Sequence, residues 1–180
     1  ILALNFLEIM SSKKFDLKIN SKILPFKKVI TVDSDKSLSI RSLLIGSISE
    51  GVSKINNILE SEDVFSTINC LRKLGVKIQK KKSKNYHVFG KGLGSLIAKK
   101  NTVLDFGNSG TLTRLLIGVL TTTPGLELKI TGDQSLKKRS MKKIFNLMKK
   151  FGATFSPKKK FNLPVKITAS NMPLGIDYFA

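Results

Sequence analysis

Three short segments combine a cation with small hydroxyl or glycine residues at places where a helix would begin. They are Asp35-Lys36-Ser37 with Arg41, Gly107-Asn108-Ser109-Gly110-Thr111 with Arg114, and Gly132-Asp133-Gln134-Ser135-Leu136 with Arg139. The first N–H groups of a helix have no intrahelical acceptor and the dipole there is positive, so an anion is favoured. Arginine adds a planar fork that matches carboxylate or phosphate, and paired glycines let backbone approach a ligand closely. The chemistry these types allow is recognition of small phosphorylated or carboxylated molecules. Each segment alone has a plainer reading: an N-capped helix for the first, a tight turn for the second, and for Arg139 a solvated basic face running from Lys137 to Lys143.

The elements that must position these residues can be read from periodicity and punctuation. Strands are expected at Phe15 to Ile19 and Lys28 to Val32. A helix follows over Ser37 to Ser49, with Leu43, Leu44 and Ile48 on one face and Gly51 as its C-cap. Val52 to Leu59 reads as a strand, and Ser61-Glu62-Asp63 opens a helix with the stripe Val64, Ile68, Leu71 and Leu74, closed by Gly75. Val76 to Gln79 and Tyr86 to Phe89 form a hairpin. The order then returns: strand Val103 to Phe106, helix Gly110 to Leu120, strand Leu126 to Thr131, and one long amphipathic helix Ser135 to Lys150 using Met141, Ile144, Phe145 and Met148. Lys73-Leu74-Gly75-Val76-Lys77-Ile78 and Lys150-Phe151-Gly152-Ala153-Thr154-Phe155 are equivalent turns 77 positions apart, which implies duplicated α/β units.

Composition narrows the classes. Lys and Arg number 32 against 12 Asp and Glu, a formal charge of +20 that attracts phosphorylated metabolites, nucleic acid or an acidic membrane. One cysteine, Cys70, excludes an internal disulfide, and with a single histidine, His87, no zinc cluster can be assembled. Cys70 falls on a helical apolar stripe and reads as a buried structural thiol; His87 reads as a strand residue. With this cysteine and histidine content a cytoplasmic, metal-free protein is expected, and no apolar run reaches the length of a membrane span. Met10, followed by Ser-Ser-Lys-Lys, reads as a natural start, with residues 1–9 upstream of it.

Order and spacing join the segments. Lys36-Ser37-Leu38-Ser39-Ile40-Arg41 resembles the Lys-Ser-x-Ser-x-Arg signature of the shikimate-pathway enolpyruvyl transferases, the 5-enolpyruvylshikimate-3-phosphate synthase type. Ser61-Glu62-Asp63-Val64 is similar to their Ser-Glu/Asp-Asp-Val element, Gly107 to Arg114 to Gly-Asn-Ala-Gly-Thr-x-x-Arg, and Gly132 to Met141 to Gly-Asp-x-Ser-Leu-x-x-Arg-Pro-Met. Asp33-Ser34 stands where the family has Pro-Gly, Ser109 where it has alanine and Ser140 where it has proline.

The resemblance implies an inverse α/β barrel of repeated βαβαββ units, with helices inside and sheets outside, incomplete in this chain. Residues 1–32 would belong to the edge of the first domain and 33–180 to a partial substrate-binding domain of two repeats out of three. It implies transfer of the enolpyruvyl group of phosphoenolpyruvate to the 5-hydroxyl of shikimate 3-phosphate with release of phosphate, and no cofactor. Lys36 would reach both substrates, Ser37 and Arg41 would hold shikimate 3-phosphate, and Asn108, Gly110 and Arg139 would line the phosphoenolpyruvate side. Thr111 would touch the substrate phosphate or support the loop, and Arg114 could brace it. The general acid and base are expected beyond Ala180, so that this stretch alone would be inactive, and the whole would be a monomer. Two rivals are a UDP-N-acetylglucosamine enolpyruvyl transferase and a basic RNA-binding α/β module; the second lacks aromatic-interleaved basic strands, with no Trp and two Tyr.

Overall fold

The computed structural model describes Lys18, Lys27, Val29 and residues 31–179, and its contacts divide the chain at Val32/Asp33 into two units. The strand expected at Phe15 to Ile19, most of that at Lys28 to Val32, and the domain placement of residues 1–32 lie outside the described residues.

The second unit is mixed α/β. Its first repeat runs α1 (Lys36–Ile48), β1 (Val52–Ile55), α2 (Glu62–Lys73), β2 (Lys77–Lys82) and β3 (Asn85–Phe89). After β4 (Val103–Asp105) come α3 (Gly110–Thr121), β5 (Glu127–Thr131), α4 (Gln134–Lys138), α5 (Lys142–Lys150), β6 (Thr154–Ser156) and β7 (Val165–Thr168). One sheet has the order β1-β3-β2 and is antiparallel throughout. The other has the order β4-β5-β7-β6, with β4 parallel to β5 and the rest antiparallel. Thus β5-β7-β6 repeats the order of β1-β3-β2, as the duplicated turns imply.

Alternation along the strands sets the layers. Tyr86 and Val88 on β3, Leu128 and Ile130 on β5, and Val165 and Ile167 on β7 are buried, while Lys129 and Lys166 point to solvent. The helices take up the covered faces: α1 packs on α2, α3 and β3, and α3 packs on α5. Leu112, Leu116, Ile117 and Leu120 of α3 are fully buried, each stabilising by about 1.5–3 kcal/mol. Phe145 and Phe155 stack at 4.2 Å, tying α5 to β6.

Several boundaries differ from expectation. The C-cap of α1 is Ser49, not Gly51: its N–H and Oγ both reach the Ile45 carbonyl, ending the helix first, and Gly51 (φ 78°) then turns the chain into β1. The strand expected to reach Leu59 stops at Ile55, because Asn57 takes a left-handed conformation (φ 55°) and the Ile58 N–H donates to Lys84 O instead of a ladder partner. Ser61 stands at the N-cap of α2, but its side chain makes no capping bond and its buried Oγ has no partner. The single helix expected over Ser135 to Lys150 is two helices, since Arg139 is extended (φ −78°, ψ 133°) and the Met141 N–H is drawn off to Phe161 O at 2.7 Å. No strand was expected at β7.

Gly75 and Gly152 behave as the repeat requires. Both have positive φ, 85° and 91°, and each lets the next N–H close onto a carbonyl five residues back, Val76 on Leu71 and Ala153 on Met148.

Candidate anion-binding site

Local rules start both helices of the site. Asp35 caps α1 by accepting the Leu38 N–H at 2.6 Å, and Ser109 caps α3 by accepting the Leu112 N–H at 3.3 Å. Lys36 and Ser37 therefore occupy the first turn of α1, and Gly110 and Thr111 the first turn of α3. Ser39, the second serine of the signature, is absorbed by the fold: buried, it donates to Asp35 O and accepts the Leu59 N–H at 2.9 Å, tying α1 to the approach of α2.

An acid outside the expected set holds one of the site cations. Asp63, in the first turn of α2, pairs with Lys36 Nζ at 3.1 Å, and the half-exposed Lys36 is thereby fixed at the helix start. One turn further along α2, Ser66 lies beneath Gly107: a Cβ on Gly107 would meet Ser66 Oγ at 2.9 Å, and φ there is 56°. The first two turns of α2 thus link the Lys36 cluster to the glycine loop.

The loop is built by its own backbone. Asp105 Oδ1 accepts the Gly107 N–H at 2.9 Å, and Gly107 O accepts the Asp133 N–H at 2.9 Å. Gly132 is needed because a Cβ there would lie 2.8 Å from Gly107 O. The two expected loops are therefore clamped side by side. Asp133 caps α4 through the Leu136 N–H at 2.6 Å and accepts from Asn108 Nδ2 at 2.7 Å, while Arg139 Nη2 donates to Asn108 Oδ1 at 2.9 Å. The Leu136 N–H first, and the Asn108 amide after it, hold the Asp133 carboxyl below its ordinary range.

Two guanidinium groups converge on the start of α3. A methyl on Gly110 would come within 2.9 Å of Arg114 Nη1 and 3.1 Å of Arg139 Nη1. Arg114 Nη1 also donates to Gly110 O at 3.2 Å, a bond that ties its guanidinium to that turn. Arg41 is exposed, two turns into α1, and its stem lines a groove with Leu44 and Leu115. The structure so gathers Asn108, Gly110, Thr111 and Arg139 at one point, with Lys36 and Ser37 on the neighbouring helix start. Asp63 and Asp133 lie inside the motifs themselves, and neither is among the expected site residues. The signal that could have found them is an acid embedded in segments otherwise chosen for anions.

A duplicated α/β unit thus carries capped helix starts, clamped glycine loops and converging cations, an arrangement suited to small anions. The sequence profile of the family described as EPSP synthase (3-phosphoshikimate 1-carboxyvinyltransferase) matches residues 21–179, and the chain belongs to that family. The 3-phosphoshikimate 1-carboxyvinyltransferase of Caldicellulosiruptor saccharolyticus is 42% identical over 164 residues, covering 89% of this chain and 37% of that protein. The corresponding protein of Syntrophomonas wolfei is 38% identical over 161 residues, with the same coverage of each. The solved EPSP synthase of Acinetobacter baumannii superposes with a TM-score of 0.76 at 37% identity, over 83% of this chain and 34% of that one. The chain thus spans 37% of the length of these two relatives.

Proposed function

We propose that this chain supplies one side of a site that transfers the enolpyruvyl group of phosphoenolpyruvate to the 5-hydroxyl of shikimate 3-phosphate, releasing phosphate, in aromatic amino acid biosynthesis. The observation that carries the proposal is the pair of guanidinium groups, Arg114 and Arg139, aimed at the amino end of α3 over Gly110. Two forks and a helix start are suited to a ligand with both a carboxylate and a phosphate. Asn108, Gly110 and Arg139 line the phosphoenolpyruvate side with Thr111 beside them, Ser37 and Arg41 hold shikimate 3-phosphate, and Lys36 reaches both.

The substrate hydroxyl adds to the central carbon of phosphoenolpyruvate as the methylene carbon gains a proton; loss of a proton from that carbon then expels phosphate. This chain's cations stabilise the anionic groups and hold the reacting atoms in register, contributions that preorganised charge makes without reorganising. The acid and base are assigned to no residue here. Residues 33–180 are read as two of three repeats of a substrate-binding domain, with 1–32 at the edge of its neighbour. The whole protein would be a cytoplasmic monomer whose domains close over the substrates.

Calorimetric titration of the full-length protein with shikimate 3-phosphate tests this. Lys36→Ala and Arg41→Ala should each weaken binding by about 2 kcal/mol, the loss expected for a charged hydrogen bond. Unchanged affinity in both variants would sink the assignment, and a response to UDP-N-acetylglucosamine in place of shikimate 3-phosphate would transfer it to the sister reaction.

A further inference from the structure

Asp133 is a carboxylate placed beside a site built for anions, where Coulomb's law alone makes it harmful. Its contacts explain its presence. An ionised carboxylate can only accept, and a guanidinium can only donate. Asn108 lies between the two, with Nδ2 on Asp133 Oδ2 at 2.7 Å and Oδ1 under Arg139 Nη2 at 2.9 Å. The two neighbours thus permit one orientation of the Asn108 amide. Turned over, it would set two donors against each other at Arg139 and two acceptors against each other at Asp133. With the amide fixed, the second hydrogen on Nδ2 stays available, and Arg139 is held by Nη2 so that Nη1 reaches the start of α3.

We propose that Asp133 is a positioning residue for the phosphoenolpyruvate side of the site: it fixes the Asn108 amide and, through it, the guanidinium of Arg139. This rests on the reading of the site given above. Asp133 reaches its neighbours from a rigid base. Its backbone N–H is bonded to Gly107 O and its Oδ1 caps α4, so its Oδ2 is presented to the loop that carries Asn108.

The substitution Asp133→Asn separates the possibilities by sign. Asparagine caps a helix as well as aspartate does, so α4 keeps its start, and the thermal midpoint serves as a check on the fold. If Asp133 acted only through its charge, its neutralisation would tighten binding of phosphoenolpyruvate. If it positions Asn108, the new Nδ2 donor faces the Asn108 amide, turns it, and leaves Arg139 unanchored. Measured in the full-length protein, the KM for phosphoenolpyruvate should then rise roughly tenfold while that for shikimate 3-phosphate stays put.

A double-mutant cycle completes the test. In the Asn108→Ala background, where nothing remains to be oriented, Asp133→Asn should cause no further rise in KM. A KM that falls in the single variant, or that rises equally in both backgrounds, overturns the proposal. Arg139→Ala is the control on the underlying reading: if it leaves phosphoenolpyruvate use unchanged, the site itself is misassigned. If it weakens phosphoenolpyruvate use and Asp133→Asn does not, only the positioning role is lost.

Discussion

Gly110 lies in helical conformation, so a methyl there imposes no backbone strain and should raise helix propensity by up to about 1 kcal/mol. It would nevertheless press on Arg114 Nη1 and Arg139 Nη1. In the full-length protein, Gly110→Ala is therefore expected to leave the thermal midpoint equal or slightly raised while the KM for phosphoenolpyruvate increases by about tenfold; a lowered midpoint with unchanged KM would show that the glycine serves packing. Residue identity made much of this legible, because cations, small hydroxyls and glycines at helix starts are local choices. Cys70 was legible for the same reason: its place on the apolar stripe of α2 matches its burial, which pushes the thiol up to about 12 and leaves it inert. What single residues could not disclose was pairing. Asp63 and Asp133 are capable caps on any helix, and only the approach of α1 and of the glycine loop gives them Lys36 and Asn108 as partners.

At the scale of elements, helix starts and glycine-ended turns were read closely because their causes lie within a few residues. The break between α4 and α5 was not, because its cause is the distant Phe161 carbonyl that takes the Met141 N–H. The amphipathic stripe of Met141, Ile144, Phe145 and Met148 runs almost to the break and gives no sign of it. β7 escaped for want of length, since Val165–Thr168 has only two buried positions. One contact between elements yields a pH prediction. Glu60, ahead of α2, accepts from Lys80 Nζ and from the Tyr86 hydroxyl, both at 2.7 Å, and its carboxyl is held low first by Lys80 and then by Tyr86. A depressed carboxylate adds stability that is complete above its unfolded pKa and is lost as pH falls through the folded one. The gap in thermal midpoint between the natural chain and Glu60→Gln should therefore be constant above the ordinary glutamate range and shrink below it. A gap independent of pH would assign Glu60 a purely steric role.

On the scale of the whole molecule, the second unit carries an apolar groove between α1 and α3. Leu44, Ile48, Leu115 and Val119 line it, and Ile45 at its rim is 62% exposed. A continuous apolar surface of this kind favours association. The 180-residue chain in isolation is expected to bind a hydrophobic reporter dye and to sediment as more than a monomer. Ile45→Lys should reduce both with a stability change within about 0.5 kcal/mol, as for other exposed sites. Monomeric sedimentation of the natural chain without dye binding would count against the groove as the cause.

The paired glycine turns have a further consequence: the molecule contains its own replicate. Gly75 and Gly152 share one backbone geometry at two addresses, so alanine imposes the same left-handed penalty, about 1–2 kcal/mol, at each. Only the neighbours differ. The added carbon would meet the flexible Ile97 Cγ1 at 3.1 Å in one turn and Ser170 Oγ at 2.8 Å in the other. Subtracting the two measured losses cancels the backbone contribution and leaves the difference between an aliphatic and a hydroxyl neighbour, a comparison that ordinarily requires two different proteins.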